Sequence, residues 1–303
     1  MKKQTMLFWS ILAVMIFSFS SVERARAQLQ DAIEELTGEN SKGYLQPFFN
    51  CFANNLNSGI YSSAAIPRVG LRFRISLVAM GTNIGDEDRV YMGVPPQPYN
   101  QTPVETATVF GSEGAVVSGP GVSYRFQDGQ ITTGDFFPFA IPQVEVGSFL
   151  GTLVRVRYVP PFKISGKAGD EIGEIKLLGY GLQHSLSQYI FMCPVDISAG
   201  FFYQTFDVGD IMKCKTMSYG VQVSKSFAAL TLFGGGSFES GKMNVSYDYQ
   251  GEENAEKIEY ELKSKTSFRF HVGASLGVPG FHLNGAVYLG PQMSTAVGLG
   301  LGL

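Results

Sequence analysis

The sequence predicts an all-β fold: a transmembrane antiparallel β-barrel of about 12 strands, with 14 as the next choice, preceded by a short N-terminal helical plug. Three observations predict it. The chain is 45% hydrophobic but only 16% charged, whereas a soluble domain carries about a quarter charged residues. After residue 27 no apolar run reaches the roughly 20 residues that a membrane helix needs. From Arg68 onward, apolar residues recur with period two, the pattern of strands with one face toward lipid and the other toward a lumen.

The elements follow in order. Lys2 and Lys3, the apolar run Met6 to Phe19 and the small residues of Ala25-Arg26-Ala27 form a secretory signal over residues 1–27. An uncleaved anchor helix is the other reading of this stretch, but the run is short for a bilayer. The mature chain then begins near Gln28. Residues 28–66 read as a helical plug or periplasmic segment, and residues 67–303 as the barrel. Leu29, Ile33 and Leu36 repeat at helical spacing. Leu45, Phe48, Phe49, Phe52 and Leu56 then form one apolar helix face, with Pro47 early enough for a first turn and Gly59 placed to end the helix. Such a stripe must be buried in the lumen, at the periplasmic rim or on a membrane surface.

Strand alternation is plainest at Val69, Leu71, Phe73, Ile75 and Leu77, which alternate with Arg68, Gly70, Arg72, Arg74 and Ser76. It returns around 152–158, 195–204, 217–224, 268–276, 281–284 and 297–303. Weaker candidates lie near 104–110, 114–126, 142–148, 173–183, 228–238, 243–249 and 256–263. The connections differ in length. Ser226-Phe227 and Val278-Pro279-Gly280 are minimal, whereas Asp86 to Gln101, Phe162 to Gly173 and the acidic Gln250 to Lys257 are long. Barrels place short turns on the periplasmic side and long loops outside.

Charge and motifs exclude several functions. A net charge of −3 offers no basic face for nucleic acid. Cys51, Cys193 and Cys214 are too few for a disulfide scaffold; Cys193 and Cys214 could pair, or all three could be free apolar cysteines. His184, His271 and His282 stand without a metal-binding spacing, and no G-x-S-x-G or phosphate loop occurs. Gly234-Gly235-Gly236 reads as a strand bend. No enzyme activity and no cofactor are therefore expected. If apolar faces meet lipid, Arg72, Arg74, Arg155, Arg157 and Arg269 line the lumen, with Glu145, Glu174, Lys176 and Asp196 as possible partners. They would either fill the barrel as a salt-bridge network or form a basic strip for anionic groups.

The layout of a helical segment before a barrel resembles the outer-membrane long-chain fatty-acid transporter family, which moves hydrophobic molecules. Ser62-Ser63-Ala64-Ala65-Ile66-Pro67 stands where that family carries an Asn-Pro-Ala signature. Gly43-Tyr44-Leu45-Gln46-Pro47, Asn55-Leu56-Asn57-Ser58-Gly59 and Tyr180-Gly181-Leu182-Gln183-His184-Ser185 are similar to an uncharacterised family of signal-bearing bacterial barrel proteins. The resemblance implies an exported protein in the outer membrane of a Gram-negative bacterium, in contact with lipid and with the barrel-assembly machinery. The chain ends Gly300-Leu301-Gly302-Leu303 instead of in the aromatic residue usual for barrels. Three functions stay open: a barrel that binds or passes small hydrophobic or amphipathic molecules, a non-conducting structural or interaction barrel, and a secreted soluble β-sandwich.

Overall fold

A computed structural model describes residues 38–119, 121–163, 174–250 and 255–302. The expected signal over 1–27, the Leu29-Ile33-Leu36 spacing, the loop 164–173 and Glu252 and Glu253 lie outside the described residues.

A helix, α1 (Gly38–Leu56), comes first and contains Pro47. The wall opens with β1 (Arg72–Asn83). An excursion over 84–135 follows, carrying two small hairpins: β2 (Val90–Gly93) with β3 (Val104–Ala107), and β4 (Val116–Ser118) with β5 (Ser123–Arg125). The wall resumes with β6 (Phe136–Phe149), β7 (Thr152–Lys163), β8 (Glu174–Ser185) and β9 (Asp196–Val208). It continues with β10 (Met212–Phe227), β11 (Leu230–Gln250) and β12 (Ala255–Lys263). It ends with β13 (Phe268–Val278), β14 (Gly280–Leu289) and β15 (Ser294–Gly302).

Every pairing in the wall is antiparallel, and the order β10-β9-β8-β7-β6-β1-β15-β14-β13-β11 closes on itself because β11 also pairs with β10. The result, among the described residues, is a closed barrel of ten strands with β12 as an extra strand, not 12 or 14. The difference has two physical sources. The candidates at 104–110 and 114–126 are hairpins of four- and three-residue strands in the excursion, too short for the roughly 9–11 residues a membrane strand needs. The candidates at 228–238 and 243–249 are one strand, the 21-residue β11. The stretch between them, Glu239 to Lys242, reads as a turn but stays extended. At about 3.3 Å per residue, such a strand reaches far past a bilayer core. Facing it, β12 pairs with residues 242–250 and β13 with 230–238, so these two make one interrupted stave.

The period-two pattern sets the two faces. Phe73 and Ile75 on β1 point outward and are 41% and 52% exposed, while Arg74, Ser76, Val78 and Met80 point in. The two ends differ. Phe149–Thr152, Phe227–Leu230 and Val278–Gly280 are the shortest turns and lie where β1 begins and β15 finishes, beside the longer β8–β9 connection over 186–195. The excursion and the β11–β12 extension lie at the other end.

Candidate functional site

The site is the lumen, and the chain's own N-terminal segment runs through it. α1 sits at the excursion end, where the Val109 N–H donates to the Tyr44 carbonyl (3.2 Å) and the Tyr44 hydroxyl donates to the Asp128 carbonyl (2.8 Å). Leu45, Phe48, Phe49, Phe52 and Leu56 are all buried. Phe48 meets Phe137 edge-on at 5.4 Å, and Phe52 meets Phe139 at 5.2 Å and Phe206 at 4.9 Å. These partners come from β6 and β9, so the helix packs against more than one side of the ring. The apolar stripe thus finds its partners inside the barrel, on inward positions that are themselves apolar. Alternation alone predicts a uniformly polar inner face. The structure instead divides that face: Val78, Met80, Phe137, Phe139 and Phe206 surround α1, and the polar positions lie toward the short-turn end.

There the chain continues as an extended strap over 57–66. The wall hydrogen-bonds to its backbone at successive levels. Gln143 donates to the Ile60 carbonyl at 3.3 Å, Ser275 to Ser62 at 3.0 Å and Gln183 to Ser63 at 2.9 Å. Arg72 reaches Ala65 at 3.4 Å, and the Ala64 N–H donates to the Ser224 hydroxyl at 3.0 Å. These contacts satisfy strap groups that have no sheet of their own, as a buried backbone requires.

The junction between helix and strap holds the strongest chemistry. A helix leaves its last carbonyls unpaired and partly negative. Here α1 has no basic residue in its last turn, and the wall supplies the cations. Arg157 donates to the Leu56 carbonyl at 2.7 Å, the Ser58 carbonyl at 2.8 Å and Gln143 at 2.9 Å. Arg269 donates to the Asn54 carbonyl at 3.0 Å and to the Ser294 hydroxyl at 3.1 Å. Gln204 adds a second donor to Leu56 at 2.6 Å. Each guanidinium also lies over a ring, Arg157 over Phe202 at 5.4 Å and Arg269 over Tyr288 at 5.0 Å.

The ion pairs of the lumen arginines centre on two carboxylates, Glu239 and Glu145. Arg269 pairs with Glu239 through both carboxylate oxygens, at 3.0 and 3.1 Å, and the two side chains are 0% and 1% exposed. Arg74 (3.4 Å) and Arg155 (3.3 Å) share Glu145. Of the other expected partners, Glu174 and Lys176 lie exposed on the outward face, where Lys176 pairs with Asp207 at 3.4 Å. Asp196 is half-buried and makes no ion pair among the described residues. Glu239 escapes the sequence reading because it falls in the stretch that reads as a turn. The phase of Phe233, Ser237 and Glu239, all inward, is the signal that could place it.

Cys51 and Cys214 are buried and Cys193 is half-buried, all free, so the possible Cys193–Cys214 disulfide does not form. His271 and His282 are both buried, and His271 bonds Gln222. Among the described residues no group of three metal-ligating side chains converges. Beside α1 at the excursion end is a cleft of about 370 Å3, lined in part by Gln46, Asn50, Asp88, Tyr91, Lys265 and Gln292. In the excursion itself, the Asp128 carboxyl is held below its ordinary value of 3.8 by the Gly114 backbone N–H, with help from Arg125.

These features define a closed antiparallel β-barrel whose lumen is threaded by its own N-terminal segment. The chain belongs to the family described as a family of unknown function (DUF6588), whose model matches residues 1–303. The expected membership in a barrel family with no attached activity therefore holds. None of the curated proteins compared with the chain matches it. Among solved structures it is similar to the attachment invasion locus protein Ail of Yersinia pestis, with 10% identity, 77% of this chain and 98% of that chain covered, and a TM-score of 0.25. A Pseudomonas aeruginosa FadL homologue is similar at 9% identity, covering 86% and 96% of the two chains, with a TM-score of 0.25. A mutant of Rh. blastica porin is similar at 10% identity over 77% and 99%, with a TM-score of 0.17.

Proposed function

We propose that the protein is an outer-membrane β-barrel held shut by its own N-terminal segment, with the short-turn end toward the periplasm. The outward faces support membrane embedding: Phe73, Ile75, Leu182, Val272 and Val297 are exposed large apolar side chains on closed strands. A soluble barrel would leave that belt against water. The observation that carries the closed state is the set of hydrogen bonds from Arg157, Arg269 and Gln204 to the last carbonyls of α1. They fix the plug from opposite parts of the wall. In this reading the protein is exported by its signal segment, inserted by the barrel-assembly machinery, and has no catalytic role.

Two measurements test it. Expressed with its signal in a Gram-negative host, the protein is expected in the outer-membrane fraction, with a gel mobility that shifts on boiling. Recovery as a soluble periplasmic protein with no shift would overturn the membrane reading and favour a secreted β-sandwich. In planar bilayers the intact protein is expected to give no steady conductance, and a variant lacking 38–66 is expected to conduct. Steady conductance by the intact chain would overturn the closed state.

A second reading is favoured by the cleft beside α1. There the plug gates passage of a small hydrophobic or amphipathic molecule that enters at the excursion end. It predicts that such a solute crosses liposomes carrying the intact protein, at a rate changed by removing 38–66.

A further inference from the structure

We infer that the short-turn end of the lumen holds an oxyanion-binding site, for a phosphate-type group, built on Arg72, Arg74 and Arg155. The arginines of the lumen fall into two sets. Arg157 and Arg269 spend their donors on the plug, on Gln143, on Ser294 and on Glu239. The other three give that segment a single hydrogen bond, from Arg72 to the Ala65 carbonyl. Register puts Arg155, Glu145 and Arg74 side by side on β7, β6 and β1, with Arg72 one inward position nearer the rim. Three guanidinium groups thus gather about one carboxylate, an excess of two positive charges. Glu145 and Arg155 are each 3% exposed. A buried charge without a counter-charge is costly, so such an excess calls for an anion.

The donors are also unfinished. The Arg155 Nη1 is buried and has no hydrogen-bond partner among the described residues, and neither does the His282 Nε2. Arg155 uses its Nε on Glu145 and lays its guanidinium over the Tyr61 ring at 5.0 Å. Arg74 uses only Nη1 on Glu145, and Arg72 makes one long bond to Ala65. Arg74 remains 15% exposed, so the group opens toward the rim. Gly302 and Gly300 on β15 stand opposite Arg74 and Ser76, and Gly300 stands opposite His282; the missing side chain at Gly300 leaves room for the Arg74 stem to lie against the wall. Guanidinium forks match the oxygens of phosphate, sulfate or carboxylate. The same chemistry could come from free phosphate or from a lipid headgroup at the periplasmic rim.

The test uses the full-length protein refolded in a zwitterionic detergent, so it does not depend on whether the barrel conducts. Inorganic phosphate is titrated while thermal unfolding and binding heat are followed, and chloride at equal ionic strength serves as the control. The wild type is expected to bind phosphate and unfold at higher temperature. R72Q/R74Q is expected to bind at least about tenfold more weakly, having lost charge-assisted hydrogen bonds. Glu145→Gln is expected to bind more tightly, a gain that a folding defect cannot produce. In nanodiscs, retention of phosphatidylglycerol but not phosphatidylcholine on native mass spectrometry would assign the anion to a headgroup; retention of neither, with phosphate binding intact, would assign it to a free oxyanion. No phosphate effect on the wild type together with no retained lipid, or equal phosphate binding by R72Q/R74Q, would overturn the site.

Discussion

At Gly59 the chain leaves α1 with φ +66, a left-handed conformation that suits glycine, and a Cβ there would lie 2.4 Å from the Val78 Cγ1. Gly59→Ala is therefore expected to destabilise the folded protein by about 1–3 kcal/mol through overpacking, read as a lower urea midpoint in detergent. The Arg269–Glu239 pair has a larger consequence. Arg269→Ala leaves Glu239 buried without its cation, a loss of about 3–5 kcal/mol. Arg269→Lys cannot restore both carboxylate bonds and the Asn54 contact, because lysine lacks the planar fork. Chemical unfolding of the three proteins side by side checks this; equal midpoints for Arg269→Lys and wild type would remove the argument. Outside the barrel, Asp128 is depressed, so its folded-state advantage is present above its ordinary value of 3.8 and is lost as pH falls below it. Limited proteolysis of the excursion is expected to rise below that pH in the wild type, and Asp128→Asn is expected to show the raised cleavage already at neutral pH.

At the scale of elements, the second half of α1 is legible in the residue pattern, but its start is not: the helix begins at Gly38 and carries Pro47 in its interior instead of its first turn. The spacing of Leu45, Phe48, Phe49, Phe52 and Leu56 sets the helix face, and Gly59 its end. What that face touches is not legible there. The inward positions Val78, Met80, Phe137 and Phe139 are apolar like their outward neighbours, so the sequence shows no change of pattern where the inner face turns from polar to apolar. The Phe-rich stripe and this half of the wall satisfy each other only once the barrel closes. Seating of α1 can be followed by its thiol. Cys51 is buried under the excursion end, and Cys193 is the more accessible of the three cysteines. A maleimide is expected to label Cys193 quickly while Cys51 stays protected. Arg157→Ala, which frees the Ser58 carbonyl and leaves Leu56 with Gln204 alone, is expected to speed labelling of Cys51 without changing Cys193. Equal Cys51 rates would mean that the guanidinium does not hold the helix in place.

For the molecule as a whole, length and alternation of β1, β9 and β13 are enough to read an all-β barrel with one face outward. The final segment is the simplest case: Val297, Leu299 and Leu301 point out while the glycines between them face in, Gly298 against Asn284 and Gly300 against Ser76 and Arg74. Local pattern determines these elements because a strand's two faces are decided every second residue, whatever its neighbours are. The number of staves is not a local property. Whether Val104–Ala107 joins the wall or folds back on Val90–Gly93, and whether Glu239 to Lys242 turns or runs on, depends on which backbone finds a hydrogen-bond partner across the closed ring. The same holds for the arginines. Their inward direction follows from alternation, but the split between Arg157 and Arg269, which hold the helix end, and Arg72, Arg74 and Arg155, which crowd around Glu145, comes from register between strands far apart in the chain. Sequence by itself determined the plainly alternating strands, the apolar helix face and the basic inner positions. Only the tertiary structure decided that ten strands close, that the N-terminal segment threads the lumen, and which charge meets which, because pairing energies are set by distances that exist only after closure.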